Sequence, residues 1–338
     1  MYVIDIFILI RFGIKVKQLI YLKVRLLYNY RMERNVNTES GMGCVTGGIV
    51  FSVAVVAYIC LNIIFSLICS ATNFTAESDA YIYISYLLAP VAVAISVPIV
   101  LKRRRVSFKV VLPLKLSTAK NAVKWCGAAV LLAFGLLFSL SWLNLGFERL
   151  LNLFGYESTA SYFPDLSGGR VALALLVMAV IPAVFEEVLF RGALLQNIRE
   201  EAGEFNSIFL CGMCFALFHA SPVQTIYQFV CGCVFALLAL RARSLIPCML
   251  AHFLNNAAII VLQACGLDTA GTLFDWAPLW AAVLITVLSA LSFLVGMAIL
   301  ILGRAPLNKP VKGGVKYFFL AACVGILALA ALWIAGMF

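Results

Sequence analysis

The sequence predicts an all-α protein: a polytopic bundle of eight or nine transmembrane helices that forms a single membrane domain. Two observations carry this prediction. Hydrophobic residues make up 64% of the 338 residues and charged residues only 12%, whereas a soluble domain is about half apolar and about a quarter charged. Apolar segments of the length that spans a bilayer, roughly 20 residues, also recur along the chain.

Nine apolar segments account for the predicted helices, because a bilayer satisfies the backbone of a single apolar run only in a helix. They lie at about 47–70, 80–101, 122–145, 170–198, 206–220, 223–240, 245–264, 277–302 and 316–337. Nine crossings follow if every segment spans the membrane. Eight is the alternative, if the last segment or one of the short ones does not cross.

The loops between these segments alternate in charge. Residues 102–115 read KRRRVSFKVVLPLK and are strongly basic, whereas residues 71–79 contain no Lys or Arg. Basic loops lie on the cytoplasmic side of a membrane protein, which predicts an integral protein of a bacterial plasma membrane with a cytoplasmic N-terminus. The same clustering explains the net charge of +10. We therefore expect membrane lipids as partners and no nucleic acid.

Residues 1–46 differ from the rest, and residues 47–338 form the predicted transmembrane domain. The first 34 residues mix Ile, Leu and Tyr with seven Lys or Arg, too much charge for a span. One interpretation is an interfacial amphipathic helix on an anionic leaflet. The other is a mis-assigned start codon, with Met32 and Met42 as alternative starts.

Seven strongly polar side chains lie inside the apolar segments. An ionisable group at the bilayer centre costs about 2.5–3.5 kcal/mol, and a functional role is the default hypothesis for it. The seven residues are Glu186, Glu187, Arg191, His219, His252, Asn255 and Asn256. Both histidines of the chain belong to this set.

Helix geometry divides the two adjacent carboxylates. Glu187 and Arg191 lie one turn apart on one helix face and can form an ion pair, whereas Glu186 points about 100° away. His252 and Asn256 share a face by the same spacing. The sequence therefore predicts one structural carboxylate, Glu187, and one free carboxylate, Glu186.

A free carboxylate with two imidazoles is typical of general acid–base chemistry on water. His252 and Asn256 could donate hydrogen bonds to a tetrahedral oxyanion, which favours hydrolysis of a peptide bond without a covalent intermediate. This mechanism needs no cofactor. A zinc ion held by Glu186, His219 and His252 stays open as an alternative, since two histidines and a glutamate are a known ligand set. HExxH and GxSG, the motifs of other membrane proteases, are lacking.

Three motifs carry a resemblance to a known family. They are the EExxxR motif of residues 186–191, the FxxxH motif of 215–219 and the HxxxN motif of 252–256. In this order they resemble the CAAX protease and bacteriocin-processing family of intramembrane proteases, over about residues 180–256. The resemblance implies a protease core at about 165–265. Its implied substrate is a membrane-associated peptide or lipidated peptide: a CAAX-type tail, a leader or a precursor.

The resemblance also implies roles for individual residues. Glu186 and His219 would activate the water, and His252 and Asn256 would form the oxyanion site. Glu187, Arg191 and Asn255 would support the site. The family is often labelled as metalloproteases, although a metal-free glutamate mechanism is also proposed for it, and we favour the latter.

Two other functions are compatible with the pattern. A catalytically dispensable membrane scaffold or bacteriocin-immunity protein would keep the same fold, but it would not need Glu186 and both histidines. A proton-coupled transporter also uses Glu and His in its spans, but it is expected to carry an inverted repeat, and none is evident in the sequence.

The fifth segment is short. Its 15 residues cover only about 22 Å as a helix, less than the hydrocarbon core of about 30 Å. We expect it to be recessed, so that His219 at its end lies at the depth of Glu186.

Overall fold

The computed structural model describes residues 42–72, 74–140, 142–157, 163–267, 272–303 and 313–337. Within these ranges the chain is helical and contains no strand, which confirms the predicted fold class. Most of the predicted N-terminal segment, residues 1–41, lies outside the described residues.

The helices follow one another in chain order, with two π-helical turns in the middle of the chain. The α-helices are α1 Met42–Thr72, α2 Asp79–Arg103, α3 Phe108–Val111, α4 Ala119–Leu140, α5 Trp142–Asn152, α6 Arg170–Ala174, α7 Ile181–Glu187, α8 Leu195–Phe218, α9 Thr225–Ala242, α10 Ile246–Ala264, α11 Leu273–Trp276, α12 Leu279–Leu302 and α13 Gly314–Ala335. The π-helical turns are π1 Leu175–Val180 and π2 Val188–Leu194.

Eight helices in the described part of the chain are long and apolar enough to cross a membrane. They are Met42–Thr72, Asp79–Arg103, Ala119–Asn152, Arg170–Phe218, Thr225–Ala242, Ile246–Ala264, Leu279–Leu302 and Gly314–Ala335. The fourth, which joins α6 to α8, has 49 residues. A straight helix of that length would measure about 73 Å, more than twice the hydrocarbon core.

The long helix reverses direction at Gly203. Its φ of 75° and ψ of 170° are not helical, and glycine adopts this conformation at little cost because it has no Cβ. The two limbs then run side by side, since the ring of Phe190 lies 5.2 Å from that of Phe215 and 5.4 Å from that of Phe218. The two limbs correspond to the fourth and fifth apolar segments of the sequence, so the eight candidate spans of the described residues contain nine apolar limbs.

The middle of the bundle consists of the segment from π1 to π2 and the helices around it. Helix α2 packs against α7, and α10 packs against both π1 and α7. Helices α8 and α9 cross closely, since a Cβ on Gly232 would lie 2.7 Å from the Cα of Gly212. Helix α10 has a proline, Pro247, in its first turn, where its missing N–H costs no hydrogen bond.

One end of the bundle, which we call the basic end, is where α1, α4, α10 and α13 begin and where α2, α9 and α12 end. Polar contacts join these helix ends. The Glu201 carboxylate accepts a hydrogen bond from Gly43 N at 3.0 Å. Arg241 makes a two-pronged ion pair with Glu204 at 2.6 and 2.8 Å and donates to the carbonyl of Leu300.

Candidate active site

Glu187 forms the centre of a buried polar cluster. Its Oε1 atom accepts a hydrogen bond from Arg191 Nη1 at 2.8 Å and another from His252 Nδ1 at 2.9 Å. The side chains of Glu187 and Arg191 are fully buried. The ion pair expected from the spacing is therefore present. The contact with His252 is additional. It links α10, which carries the HxxxN motif, to α7, which carries the two glutamates.

Arg191 is enclosed by aromatic rings and by the backbone of α9. Its Nη2 atom donates to the carbonyl of Gly232 at 3.0 Å. Its guanidinium carbon lies 4.5 Å from the centre of the Phe215 ring and 5.2 Å from that of Phe235, close enough for cation–π attraction. Arg191 thus connects α8 and α9 to the helix that carries both glutamates.

Glu186 faces the other nitrogen of His252. Its Oε2 atom lies 3.9 Å from His252 Nε2, and its side chain is 14% exposed. Among the described residues, Oε2 of Glu186 has no hydrogen-bond partner. The distance is too long for a direct hydrogen bond. The His252 ring therefore lies between the two carboxylates, bonded to one and open toward the other.

His219 follows the last residue of α8, and the backbone turns away immediately after it. His219 Nδ1 lies 2.8 Å from the carbonyl oxygen of Phe215. A carbonyl only accepts, so Nδ1 carries the proton and Nε2 of the neutral ring has a free lone pair. The next residue, Ala220, has a φ of 47°. This left-handed conformation ends the helix directly after the histidine.

The Phe215 ring packs against both histidine rings, which places the two histidines at a similar depth in the bundle. Its centre lies 4.7 Å from the His219 ring and 5.8 Å from the His252 ring. Glu186 is also near enough to His219 for electrostatic interaction. This arrangement agrees with the expectation that the short limb of the hairpin brings His219 to the depth of Glu186.

The two asparagines of α10 have different surroundings. Asn255 is buried, and its Oδ1 accepts a hydrogen bond from the hydroxyl of Tyr227 at 2.8 Å. Asn256 is half-buried, and its Nδ2 lies 3.5 Å from the carbonyl oxygen of Met178 in π1, which is a long contact. Asn255 ties α10 to α9, whereas Asn256 faces the segment that leads to Glu186.

Several residues of the site carry no polar signal in the sequence. Tyr58 packs its ring 5.2 Å from Phe218, next to His219, and Tyr58 and Tyr86 are both close enough to Glu186 for electrostatic interaction. Tyr227 and Phe235 also belong to this group. Tyrosine and phenylalanine are common in apolar helices, so only the packing of α1, α2 and α9 identifies them.

Glu186, His219 and His252 are the suggested metal ligands. Among the described residues, no group of three His, Cys, Asp or Glu side chains is positioned to hold a metal ion. His252 Nδ1 is bonded to Glu187 and His219 Nδ1 faces a carbonyl, so Nε2 is the nitrogen that each ring has left for a ligand. We therefore derive no step that passes through a metal.

Comparison with known proteins agrees with the motifs. Residues 168–258 match the model of a family described as type II CAAX prenyl endopeptidase Rce1-like. This range contains all seven predicted site residues. Comparison with curated proteins and with solved structures finds no match.

Proposed function

We propose that this chain, whose residues 168–258 match the model of the type II CAAX prenyl endopeptidase Rce1-like family, is an intramembrane endopeptidase. It hydrolyses a peptide bond of a membrane-associated peptide with water activated by Glu186 and His219. One observation carries the proposal. The His252 ring lies between Glu186 and Glu187, and the Phe215 ring packs against both His252 and His219.

In the first step, a water molecule between Glu186 and His219 loses a proton. The acceptor is the Glu186 carboxylate or the free Nε2 lone pair of His219. The oxygen attacks the carbonyl carbon of the scissile bond and forms a tetrahedral oxyanion. A positioned general base of this kind contributes about 10²–10⁴-fold to a rate.

His252 and Asn256 stabilise the oxyanion. His252 Nδ1 donates to Glu187, and Nε2 donates to the oxyanion when the ring carries a second proton. Asn256 supplies its Nδ2, which makes only a long contact with Met178 in this structure. When the C–N bond breaks, the proton taken from water passes to the leaving amine.

Glu187 and Arg191 are positioning residues. The ion pair holds the Glu187 carboxylate in place, and the carboxylate orients the His252 ring through Nδ1. Arg191 in turn is held by the Gly232 carbonyl. Asn255 supports the same helix through Tyr227.

We propose a peptide with a lipidated CAAX-type tail as the substrate, because of the family description alone. The leader of an exported peptide and a signalling-peptide precursor are the alternatives to test beside it. The reaction needs no metal in this proposal.

The test is a hydrolysis assay with the purified protein in liposomes and a farnesylated CAAX-type peptide, with a leader peptide in parallel. Glu186→Gln and His219→Ala should each lower the rate at least about 100-fold. Glu77→Gln, which changes an exposed glutamate outside the site, should not. A chelator should leave the rate unchanged. Equal cleavage by all variants would refute the roles of Glu186 and His219, and no cleavage by the wild type would favour a non-catalytic scaffold of the same fold.

We also propose that the basic end faces the cytoplasm. The exposed cations Lys102 and Arg103 end α2 at this end, and such residues are retained on the cytoplasmic side. An N-terminal epitope tag should be digested by protease in inverted membrane vesicles and protected in right-side-out ones. The opposite pattern would refute this orientation.

A further inference from the structure

Residues 102–115, which we call the basic segment, connect α2 to α4 at the basic end. Five of its cations are exposed: Lys102, Arg103, Arg105, Lys109 and Lys115. Arg105 has a φ of 56°, and this left-handed turn redirects the chain from α2 into the short helix α3. The segment therefore presents a group of cations where a spanning helix ends.

Apolar side chains alternate with these cations. Phe108, Val110 and Leu114 are 44%, 55% and 49% exposed, whereas Val111 is completely buried. A surface that combines cations with exposed apolar side chains suits the boundary between lipid headgroups and acyl chains. In water alone, the exposed parts of Phe108 and Val110 would have no apolar contact.

The basic segment also contacts two elements of the candidate active site, π2 and the start of α10. A Cβ on Gly192 would lie 2.9 Å from the Val111 carbonyl oxygen, so the segment lies directly against π2, next to Arg191. Leu245 N donates to the carbonyl of Pro113 at 2.8 Å. Leu245 precedes α10, the helix of His252.

We infer that the basic segment binds the headgroups of anionic lipids and that this binding holds it against π2 and α10. The cations attract the phosphate groups. Each cation raises the binding constant for an anionic surface about fivefold. Phe108, Val110 and Leu114 contact the adjacent acyl chains. Lipids are the partner because the segment ends and begins spanning helices, so its surface faces the leaflet.

A consequence for hydrolysis rests on the proposed function. If the segment is held against Gly192 and Leu245, the positions of Arg191 and His252 are held as well. The rate of peptide hydrolysis should then rise with the anionic fraction of the membrane. The binding itself does not depend on the enzyme proposal, so the two can fail separately.

The experiment measures thermal unfolding of the full chain in nanodiscs of phosphatidylcholine with increasing phosphatidylglycerol. The unfolding temperature of the wild type should rise with the phosphatidylglycerol fraction. In the variant with Lys102→Gln, Arg103→Gln, Arg105→Gln and Lys109→Gln, the same phosphatidylglycerol fractions should produce less than about half of the rise. Glycerol phosphate in solution should not reproduce the rise.

A matched pair of single variants keeps the test decisive if the fourfold variant does not fold. Lys109→Gln should weaken the response, whereas Arg149→Gln, an exposed cation in α5 outside the basic end, should leave it unchanged. An equal response of these two variants, or a rise produced equally by free glycerol phosphate, would overturn the lipid site. A normal lipid response without any peptide hydrolysis would overturn only the enzyme proposal.

Discussion

The site contains two pairs of adjacent residues, and in both pairs the two members have different surroundings. Glu187 is fully buried and accepts two hydrogen bonds through Oε1, whereas Glu186 is partly exposed and faces His252 Nε2 at 3.9 Å. Asn255 is buried and bonded to Tyr227, whereas Asn256 has one long contact. One member of each pair holds the helices together, and in the proposed function the other acts on the substrate.

The difference has a geometric cause. Consecutive residues of a helix point about 100° apart, so a doublet can present one side chain to the packed interior while the other points elsewhere. Charges in a membrane interior are costly unless they are paired. The supporting member of each doublet is bonded to a neighbouring side chain of the bundle, and substitutions should therefore separate stability from hydrolysis.

The largest effect is expected for Glu187→Ala. It leaves Arg191 as a buried charge without its carboxylate, and breaking a buried pair in this way costs about 3–5 kcal/mol. Thermal unfolding in detergent should show this loss of stability. Changing Glu187→Met and Arg191→Leu together should recover most of it while hydrolysis stays lost. A single variant as stable as the wild type would contradict the structural role.

Asn256→Ala should have the next largest effect. Removal of one oxyanion donor lowers kcat by about 10²–10³-fold in a known enzyme, and the long contact of Asn256 with Met178 contributes little to stability. Kinetics on the lipidated peptide and thermal unfolding measure the two quantities. A loss of stability in step with the loss of rate would assign Asn256 to the supporting side.

Gly232→Ala tests the backbone contact that holds Arg191. A Cβ there would meet Gly212 Cα at 2.7 Å and Phe215 Cβ at 3.1 Å, and overpacking of this kind costs about 1–3 kcal/mol. The matched control is Gly127→Ala in α4, whose Cβ would have no neighbour within 4 Å. That variant should unfold at the wild-type temperature or slightly above. Equal losses in both variants would argue against the close crossing of α8 and α9.

Tyr227→Phe should have the smallest effect. It removes the donor to Asn255 Oδ1 and leaves the ring in place, at a cost of about 1 kcal/mol. The hydrolysis rate should change less than in Asn256→Ala, since only the supporting asparagine is affected. Measuring the unfolding temperature together with kcat distinguishes a supporting role of Tyr227 from a catalytic one. A kcat reduced as strongly as in Asn256→Ala would place Tyr227 in the chemistry itself.

The sequence predicts the parts of this arrangement that depend on local spacing. The all-helical fold follows from the hydropathy pattern, and the Glu187–Arg191 pair follows from the four-residue spacing in one helix. The bond from His252 to Glu187 joins residues 65 positions apart, and the Tyr227–Asn255 bond joins α9 to α10. These contacts depend on how helices pack, which apolar periodicity does not specify.

The reversal at Gly203 shows the same limit. Hydropathy separates segments 170–198 and 206–220, but glycine is common in membrane helices, so its presence alone does not indicate a turn. The two π-helical turns on either side of α7 also have no characteristic amino-acid composition. The packing of Phe190 on Phe215 and Phe218 reveals the hairpin only in three dimensions.

The most direct test of the central claim compares Glu186→Gln with Glu187→Gln in the same liposomes. For each variant, hydrolysis of the lipidated peptide and thermal unfolding are measured together. The account predicts that Glu186→Gln loses hydrolysis and keeps the wild-type unfolding temperature, whereas Glu187→Gln loses both. A Glu186→Gln variant that still hydrolyses the peptide, or that unfolds as readily as Glu187→Gln, would contradict it.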